Sequence, residues 1–331
     1  MPRTRFVALG SYVPDRVVTN HELTKLMETS DEWIQQRTGI RERRWVAPNQ
    51  TGTDLALEAT RKALARAGWE PKDIEAIVYA TLSPDYYFPG DGCFLQAKLG
   101  IHGVPALDVR NQCSGFVYGL SVADAWIRTG QYKRVLLVGA EVHSNGLDVS
   151  TRGRDVTVIF GDGAGAALLE ATDDPKSGVL STHLRADGRF AKDLWTQTPG
   201  SARWPRLDHQ ALEEGLHYPK MDGQKVFKHA IVRMPEVVQE ALKHNQLTTR
   251  DIKVLIPHQA NLRISEMVQR SLELRDDQVF NNIQKYGNTT AASIPICLEE
   301  AIETRGVKRG DLVALAAFGA GFTWASALIR W

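Results

Sequence analysis

The chain has 331 residues, enough for two packed units of ordinary size or one large one. With 43% hydrophobic and 24% charged residues it has the composition of a globular protein, and a formal net charge of +1 provides no global attraction for nucleic acid or an anionic membrane. No apolar run approaches the ~20 residues that span a bilayer, and the amino-terminal "MPRTRFVALGSYVP" lacks the apolar core of a secretion signal. Three widely spaced cysteines (Cys93, Cys113 and Cys297) argue for a reducing compartment, with the cytoplasm as the expected location, and against a disulfide frame or a zinc site.

In chain order, Thr29 and Glu32 fit a capping box that places Trp33 in the first turn of a short helix. A helical pattern covers 54–68, followed by β-branched strand runs at 74–80 and 105–109. A second helix is expected at 114–130, with strands at 134–141 and 163–171. The segment 190–220, rich in Trp, Pro and His, interrupts the alternation. Helices then follow at 226–245, 261–274 and 291–306, with strands at 252–257, 312–319 and 324–331. Such alternation predicts a layered α/β protein.

The two parts of the chain repeat one another. "PKDIEAIVYA" at 71–80 matches "TRDIKVLIPH" at 249–258, and "KRVLLVGAE" at 133–141 matches "GDLVALAAF" at 310–318, both offset by roughly 178 residues. This divides the chain into halves, 1–172 and 173–331. A pseudo-twofold pairing of the halves would bring equivalent strand-to-helix junctions together, and ligand sites in such sheets gather beyond the carboxyl ends of strands.

Three residues stand at those junctions. Cys113, in "LDVRNQCSGFVYG", precedes a helix whose unpaired N–H groups and positive dipole end are expected to lower the thiol pKa. His258 ends the strand "IKVLIP", and Asn288 lies in "YGNTTAAS" before the second small-residue helix. A Cys, a His and an Asn serve two chemistries. In a cysteine hydrolase, His activates the thiol and Asn orients His. In a condensing enzyme the thiol carries an acyl group while His and Asn donate to a thioester oxygen. The duplicated architecture favours the second. Cys93 and Cys297 fall in helical patterns and are expected to be packing residues.

These residues, with "GDGAGAA" (161–167), "PHQANLRI", "YGNTTAASIP", "TSDEWIQQRTGIRER" (29–43) and "FGAGFTWASALIRW" (318–331), resemble the β-ketoacyl-acyl carrier protein synthase III family. The resemblance runs from residue 10 to the last residue. It implies a thiolase-like fold of two duplicated α/β halves in five layers (αβαβα), and the initiating condensation of bacterial fatty acid synthesis. By resemblance, Cys113 would be acylated by a short acyl-CoA, and His258 and Asn288 would hold the thioester carbonyl of malonyl-acyl carrier protein as CO2 departs. The backbone N–H groups of Cys113 and Ala320 would form the oxyanion hole, with Phe318 near the sulfur. A degradative thiolase is disfavoured because the turn that would carry its second cysteine reads "FGAGF".

The resemblance further implies that Trp33 and Arg152 sandwich the adenine of CoA, with Thr29 and Arg37 alongside and Gly223 and Asn261 on the pantetheine. Four arginines in "RTGIRERRW" would suit its phosphates. Lys228, Arg263 and Arg270 would dock the acidic carrier protein, and Phe88 would close the acyl pocket of the partner in a homodimer. No cofactor or metal is implied, acyl-CoA being a substrate, and neither nucleic acid nor membrane is an expected partner. Two features depart from the best-known members: the "RNQCSG" flank of Cys113 and the long segment 190–220, which is placed either at the entrance or as a surface excursion. Both raise the alternative of a specialised condensing enzyme or acyltransferase of the same fold.

Overall fold

The computed structural model describes all 331 residues. Two sheets form its frame. The first has the spatial order Arg3–Tyr12, Gly163–Thr172, Arg134–Glu141, Ala76–Ala80, Ala106–Val109. Its last three strands are parallel, and the first two are antiparallel to their neighbours. The second sheet repeats the order with Gly178–Ala186, Thr323–Arg330, Leu312–Gly319 and Ile252–Pro257, with two antiparallel pairs as before but one parallel pair in place of two. A lone parallel bridge between Leu255 and Val279 stands where the first sheet has its fifth strand.

The buried clusters define the layers. Helices Gly115–Arg128 and Ser293–Thr304 lie between the sheets, with Phe116, Leu120, Ile294 and Leu298 packed against Val78, Leu137, Val254 and Leu315. Helix Gly52–Ala67 covers the outer face of the first sheet through Leu55, Ala59 and Ala63. Helices Gly223–His244 and Leu262–Ser271 cover the outer face of the second through Met234, Val238, Ile264 and Val268. The order is therefore αβαβα, a thiolase-like fold. The central strands are covered on both faces, which is why they read as unbroken apolar runs. No helix is long and apolar enough to cross a membrane.

Each central helix is entered through a single 3-10 turn, Gln112–Ser114 in one half and Thr290–Ala292 in the other. Both turns begin on a left-handed residue, Gln112 at φ 46° and Thr290 at φ 49°. In this register Cys113 matches Ala291, so Asn288 lies three residues ahead of the position equivalent to the cysteine.

Several local expectations are corrected. The short helix Asp31–Thr38 is capped by Ser30, whose Oγ accepts the Trp33 N–H at 3.1 Å, and not by a Thr29/Glu32 box. Cys297 is a packing residue, whereas Cys93 is exposed. The four arginines do not form one patch. Arg43 is fully buried, donating to Val18 O, Asn20 Oδ1 and Val158 O, and Arg44 reaches back to Pro14 O.

Candidate active site

Cys113, His258 and Asn288 meet on one cavity of about 740 Å3, whose lining continues through Phe318 and Gly319 out to Trp33 and Arg37. Cys113 is set on its turn by the packing of Gly319, which has no side chain to hold the two apart. Ser114 fixes the next residue, its Oγ donating to Thr323 O at 3.2 Å. The sulfur is faced by the backbone N–H groups of Cys113 and Ala320 and by the Thr290 hydroxyl, all of which favour the thiolate. They do not prevail. Burial pushes the thiol up to about 12, and the nearby Glu141 carboxyl adds to the rise. The expectation of a lowered pKa is thus overturned, because desolvation of a buried charge outweighs a few dipoles. Glu141 is itself buried and pushed up to about 7 by desolvation, although it accepts from Thr81 Oγ1, Ser83 Oγ and the N–H groups of Leu82, Ser83 and Ala291.

His258 extends its strand, its N–H bonded to Ala316 O at 2.7 Å. The Ser293 hydroxyl oxygen takes the Gln259 N–H at 3.4 Å, leaving its own hydrogen for His258 Nδ1 at 2.6 Å. With Ser293 as the donor to Nδ1 the ring proton is assigned to Nε2, which has no protein partner. Desolvation lowers the imidazole to about 3, so it is neutral at physiological pH. Asn288 is stapled to the strip Ile159–Gly161 by its N–H to Ile159 O at 2.8 Å and by the Gly161 N–H to its own carbonyl at 3.0 Å. Its Oδ1 accepts the Thr290 N–H at 2.8 Å, which leaves the Nδ2 hydrogens for the cavity. The floor thus presents a buried thiol, an uncharged imidazole and a carboxamide on one cavity.

Two family-model matches and full-length relatives place the chain in a family. Residues 107–188 match the model described as 3-Oxoacyl-[acyl-carrier-protein (ACP)] synthase III, and residues 242–331 match its C-terminal counterpart. The chain is 47% identical to the Beta-ketoacyl-[acyl-carrier-protein] synthase III of Alkalilimnicola ehrlichii, covering 100% of both proteins, and 46% identical to that of Xanthomonas campestris over 99% of the chain and 98% of the relative. The chain belongs to the β-ketoacyl-acyl carrier protein synthase III family. Solved structures of synthase III from Aquifex aeolicus and Pseudomonas aeruginosa superpose with a TM-score of 0.90 each, at 41% and 36% identity, over 99% of this chain and 100% and 98% of theirs.

Of the other residues singled out from the synthase III resemblance, Trp33, Arg37, Gly223, Asn261, Lys228 and Arg263 line the cavity toward its mouth. Asn261 caps helix 262–271 with its Oδ1 and donates from Nδ2 to Arg37 O at 2.8 Å, tying that helix to the one that carries Trp33. Arg270 is exposed two turns beyond Arg263 on the same helix. Thr29 is not on the lining. Arg152 does not contact Trp33: its Nε is bonded to Asp148 Oδ2 at 2.5 Å and its NH1 donates to Glu213 O at 3.0 Å. The guanidinium groups over the Trp33 ring are those of Arg37, at 4.5 Å from the centroid, and Arg154, at 4.8 Å. Arg154 was missed because nothing in "STRGRD" says which arginine the segment 209–218 will capture.

Segment 190–220 divides between its two expectations. Its beginning and the residue that follows it supply Leu194 and Met221 to the cavity wall through the pairing of Leu194–Trp195 with Lys220–Met221, and Phe190 stacks on Phe322 with centroids 5.2 Å apart. Its middle projects outward, leaving Trp204 96% exposed. Phe88 is also at the surface, 79% exposed.

Proposed function

We propose that the chain catalyses the decarboxylative condensation of a short acyl-CoA with malonyl-acyl carrier protein, giving 3-oxoacyl-acyl carrier protein and initiating fatty acid synthesis. The convergence of Cys113, His258 and Asn288 on one deep cavity carries this reading. Cys113 attacks the acyl-CoA thioester, the oxyanion is met by the N–H groups of Cys113 and Ala320, and CoA leaves. The malonyl thioester carbonyl then lies against His258 Nε2–H and Asn288 Nδ2–H, which stabilise the enolate formed on loss of CO2. The enolate carbon attacks the acyl carbon on Cys113. Preorganised donors of this kind contribute about 3 kcal/mol each.

In this reading CoA stacks at Trp33 with Arg37 and Arg154, and Gly223 and Asn261 flank the pantetheine arm. A base stacking on the indole must compete with one of the two guanidinium groups already there. Lys228, Arg263 and Arg270 make the mouth basic and meet an acidic carrier protein, acting mainly on association rate. Each half, 1–172 and 173–331, supplies part of the site, no cofactor takes part, and a cytoplasmic homodimer with Phe88 at the partner's acyl pocket is the working form. The specialised alternative is not favoured, since full-length relatives at 43–47% identity carry the synthase III name.

The test is intact mass after incubation with acyl-CoAs from acetyl to octanoyl, followed by malonyl-acyl carrier protein. An adduct on Cys113 that is discharged with CO2 release is expected. An adduct that survives Cys113→Ala, or none with any donor, refutes the assignment. Slow loss of the adduct in water with no response to malonyl-acyl carrier protein would instead indicate a hydrolase.

A further inference from the structure

A second histidine lies within reach of the nucleophile through one hydroxyl. His143 Nε2 is 2.7 Å from Thr290 Oγ1, and the turn that Thr290 opens packs against the turn that carries Cys113, where the same hydroxyl favours the thiolate. Thr290 is fully buried and held at φ 49°, a conformation that a β-branched residue rarely adopts. Strained residues of this kind persist only where the surroundings impose them, and they gather at functional sites. His143 is equally constrained. Its N–H is bonded to Asp162 Oδ1 at 2.7 Å, and the other oxygen of that carboxylate takes the Val46 N–H and the Ser144 hydroxyl. Its ring lies against Phe160 with centroids 4.7 Å apart. Asp162 belongs to the "GDGAGAA" run, which the roles assigned so far leave unused. Its bonds hold the backbone that aims His143 at Thr290.

We propose that Thr290 and His143 form a proton relay for Cys113, with the Thr290 hydroxyl passing the thiol proton to His143 Nε2 during acylation. The inference rests on Cys113 being the acylated nucleophile. As the sulfur bonds to the acyl carbon, the Sγ–H bond breaks and its proton moves to Thr290 Oγ1 while the hydroxyl proton moves to His143 Nε2. The carbonyl electrons pass to the oxyanion at the N–H groups of Cys113 and Ala320. When the adduct collapses, the bond to CoA sulfur breaks, and the proton held by His143 returns through Thr290 to the departing sulfur. One proton has moved from Cys113 to CoA, and every relay group is restored.

A relay is needed because the thiol lies at about 12 and so cannot shed its proton beforehand. Burial lowers His143 to about 4, so the resting pair stays neutral and the proton leaves only as attack makes the S–H acidic. His258 is separate from this path. Its Nδ1 is bonded to Ser293, and its Nε2 has no protein partner.

The experiment measures single-turnover acylation of the full-length enzyme by intact mass, using the acyl-CoA from the acetyl-to-octanoyl panel that acylates the wild type fastest. Thr290→Val removes the hydroxyl, Thr290→Ser retains it, and His143→Gln offers Thr290 an acceptor with no basic nitrogen. Thr290→Val and His143→Gln are each expected to slow acylation at saturating acyl-CoA about 10²-fold, the lower end for a lost general base. The concentration giving half-maximal rate should not change. Thr290→Ser should restore the rate to within about threefold, and the double variant should be no slower than the slower single one. Once acylated, every variant should release CO2 from malonyl-acyl carrier protein at the wild-type rate, because decarboxylation precedes the departure of the Cys113 sulfur. Wild-type acylation in His143→Gln overturns the relay even if Thr290→Val is slow, and equal slowing of acylation and CO2 release assigns the pair a structural role. Should Thr290→Val fail to fold, His143→Gln decides alone. Absence of any adduct on wild-type Cys113 is a failure of the nucleophile assignment, and the relay falls with it. A slow variant beside a normally acylated wild type bears on the relay only.

Discussion

A methyl group at Gly319 would lie 2.7 Å from Cβ, 3.0 Å from N and 3.2 Å from Sγ of Cys113. Carbon atoms settle at about 3.5–4.0 Å, so Gly319→Ala demands a relative displacement of about 1 Å. The strand Leu312–Gly319 is buried along its whole length and paired with Thr323–Arg330 as far as Gly319 itself, so it yields little. The movement falls on the nucleophile turn and on the adjacent Ala320 N–H. Overpacking of this size costs about 1–3 kcal/mol of stability. The larger effect is on rate, because misplacing one oxyanion donor costs about 10²–10³-fold. Acylation followed by intact mass, beside the thermal unfolding midpoint, separates the two. The expected result is a folded protein with a midpoint lower by a few degrees and acylation slowed at least about 10²-fold. A folded Gly319→Ala that acylates at the wild-type rate would refute the claim that this close approach sets the nucleophile.

Asn288→Ala should leave Cys113 acylation within about threefold of wild type while slowing decarboxylation about 10²-fold or more, since one enolate donor is lost; equal loss of both steps in the CO2 and intact-mass assays would contradict the division of roles. His258, lowered to about 3, is neutral in the folded state, whereas the unfolded chain protonates near pH 6.5. Between those values the unfolded state binds more protons, so this residue makes stability fall with falling pH, by about 1.4 kcal/mol per pH unit. Asp91 and Glu141, both raised to about 7, act with the opposite sign over part of that range, so the measurement is the difference between wild type and His258→Gln in urea unfolding from pH 7 to pH 4. The wild type should lose more stability than the variant on acidification, and parallel curves would show that His258 is not buried neutral. Arg43→Met leaves Asn20 Oδ1 and the Val18 and Val158 carbonyls without their buried donor, at about 1–3 kcal/mol per group. Denaturant titration should register a loss of about 3 kcal/mol or more, and an unchanged midpoint would mean those acceptors find other partners.

Much of this was legible in the residue order. Strands 134–141, 252–257 and 312–319 were read with their observed bounds, because burial on both faces leaves an uninterrupted apolar run. The same argument fails at the sheet margins. Arg3–Tyr12 and Gly178–Ala186 mix charged, polar and apolar residues, and they become strands by pairing with partners far along the chain or beyond a sheet's interior. Helix Asp91–Lys98 was read only as a helical pattern around Cys93, without bounds, because its first N–H groups are met by the Asp108 carboxylate from the neighbouring strand and not by a local cap.

By itself the sequence determined the duplicated α/β layering, the junctions that carry Cys113, His258 and Asn288, and the family those residues mark. Each rests on periodicity or on contiguous motifs, which survive in a one-dimensional record. Only the tertiary structure decided that burial outweighs the helix dipole at the Cys113 thiol, that Arg154 and not Arg152 reaches Trp33, and that His143 meets Thr290 beside the nucleophile. Desolvation, capture of one side chain rather than its neighbour, and contact across 147 residues are set by what surrounds a residue in space, and spacing along the chain carries none of them.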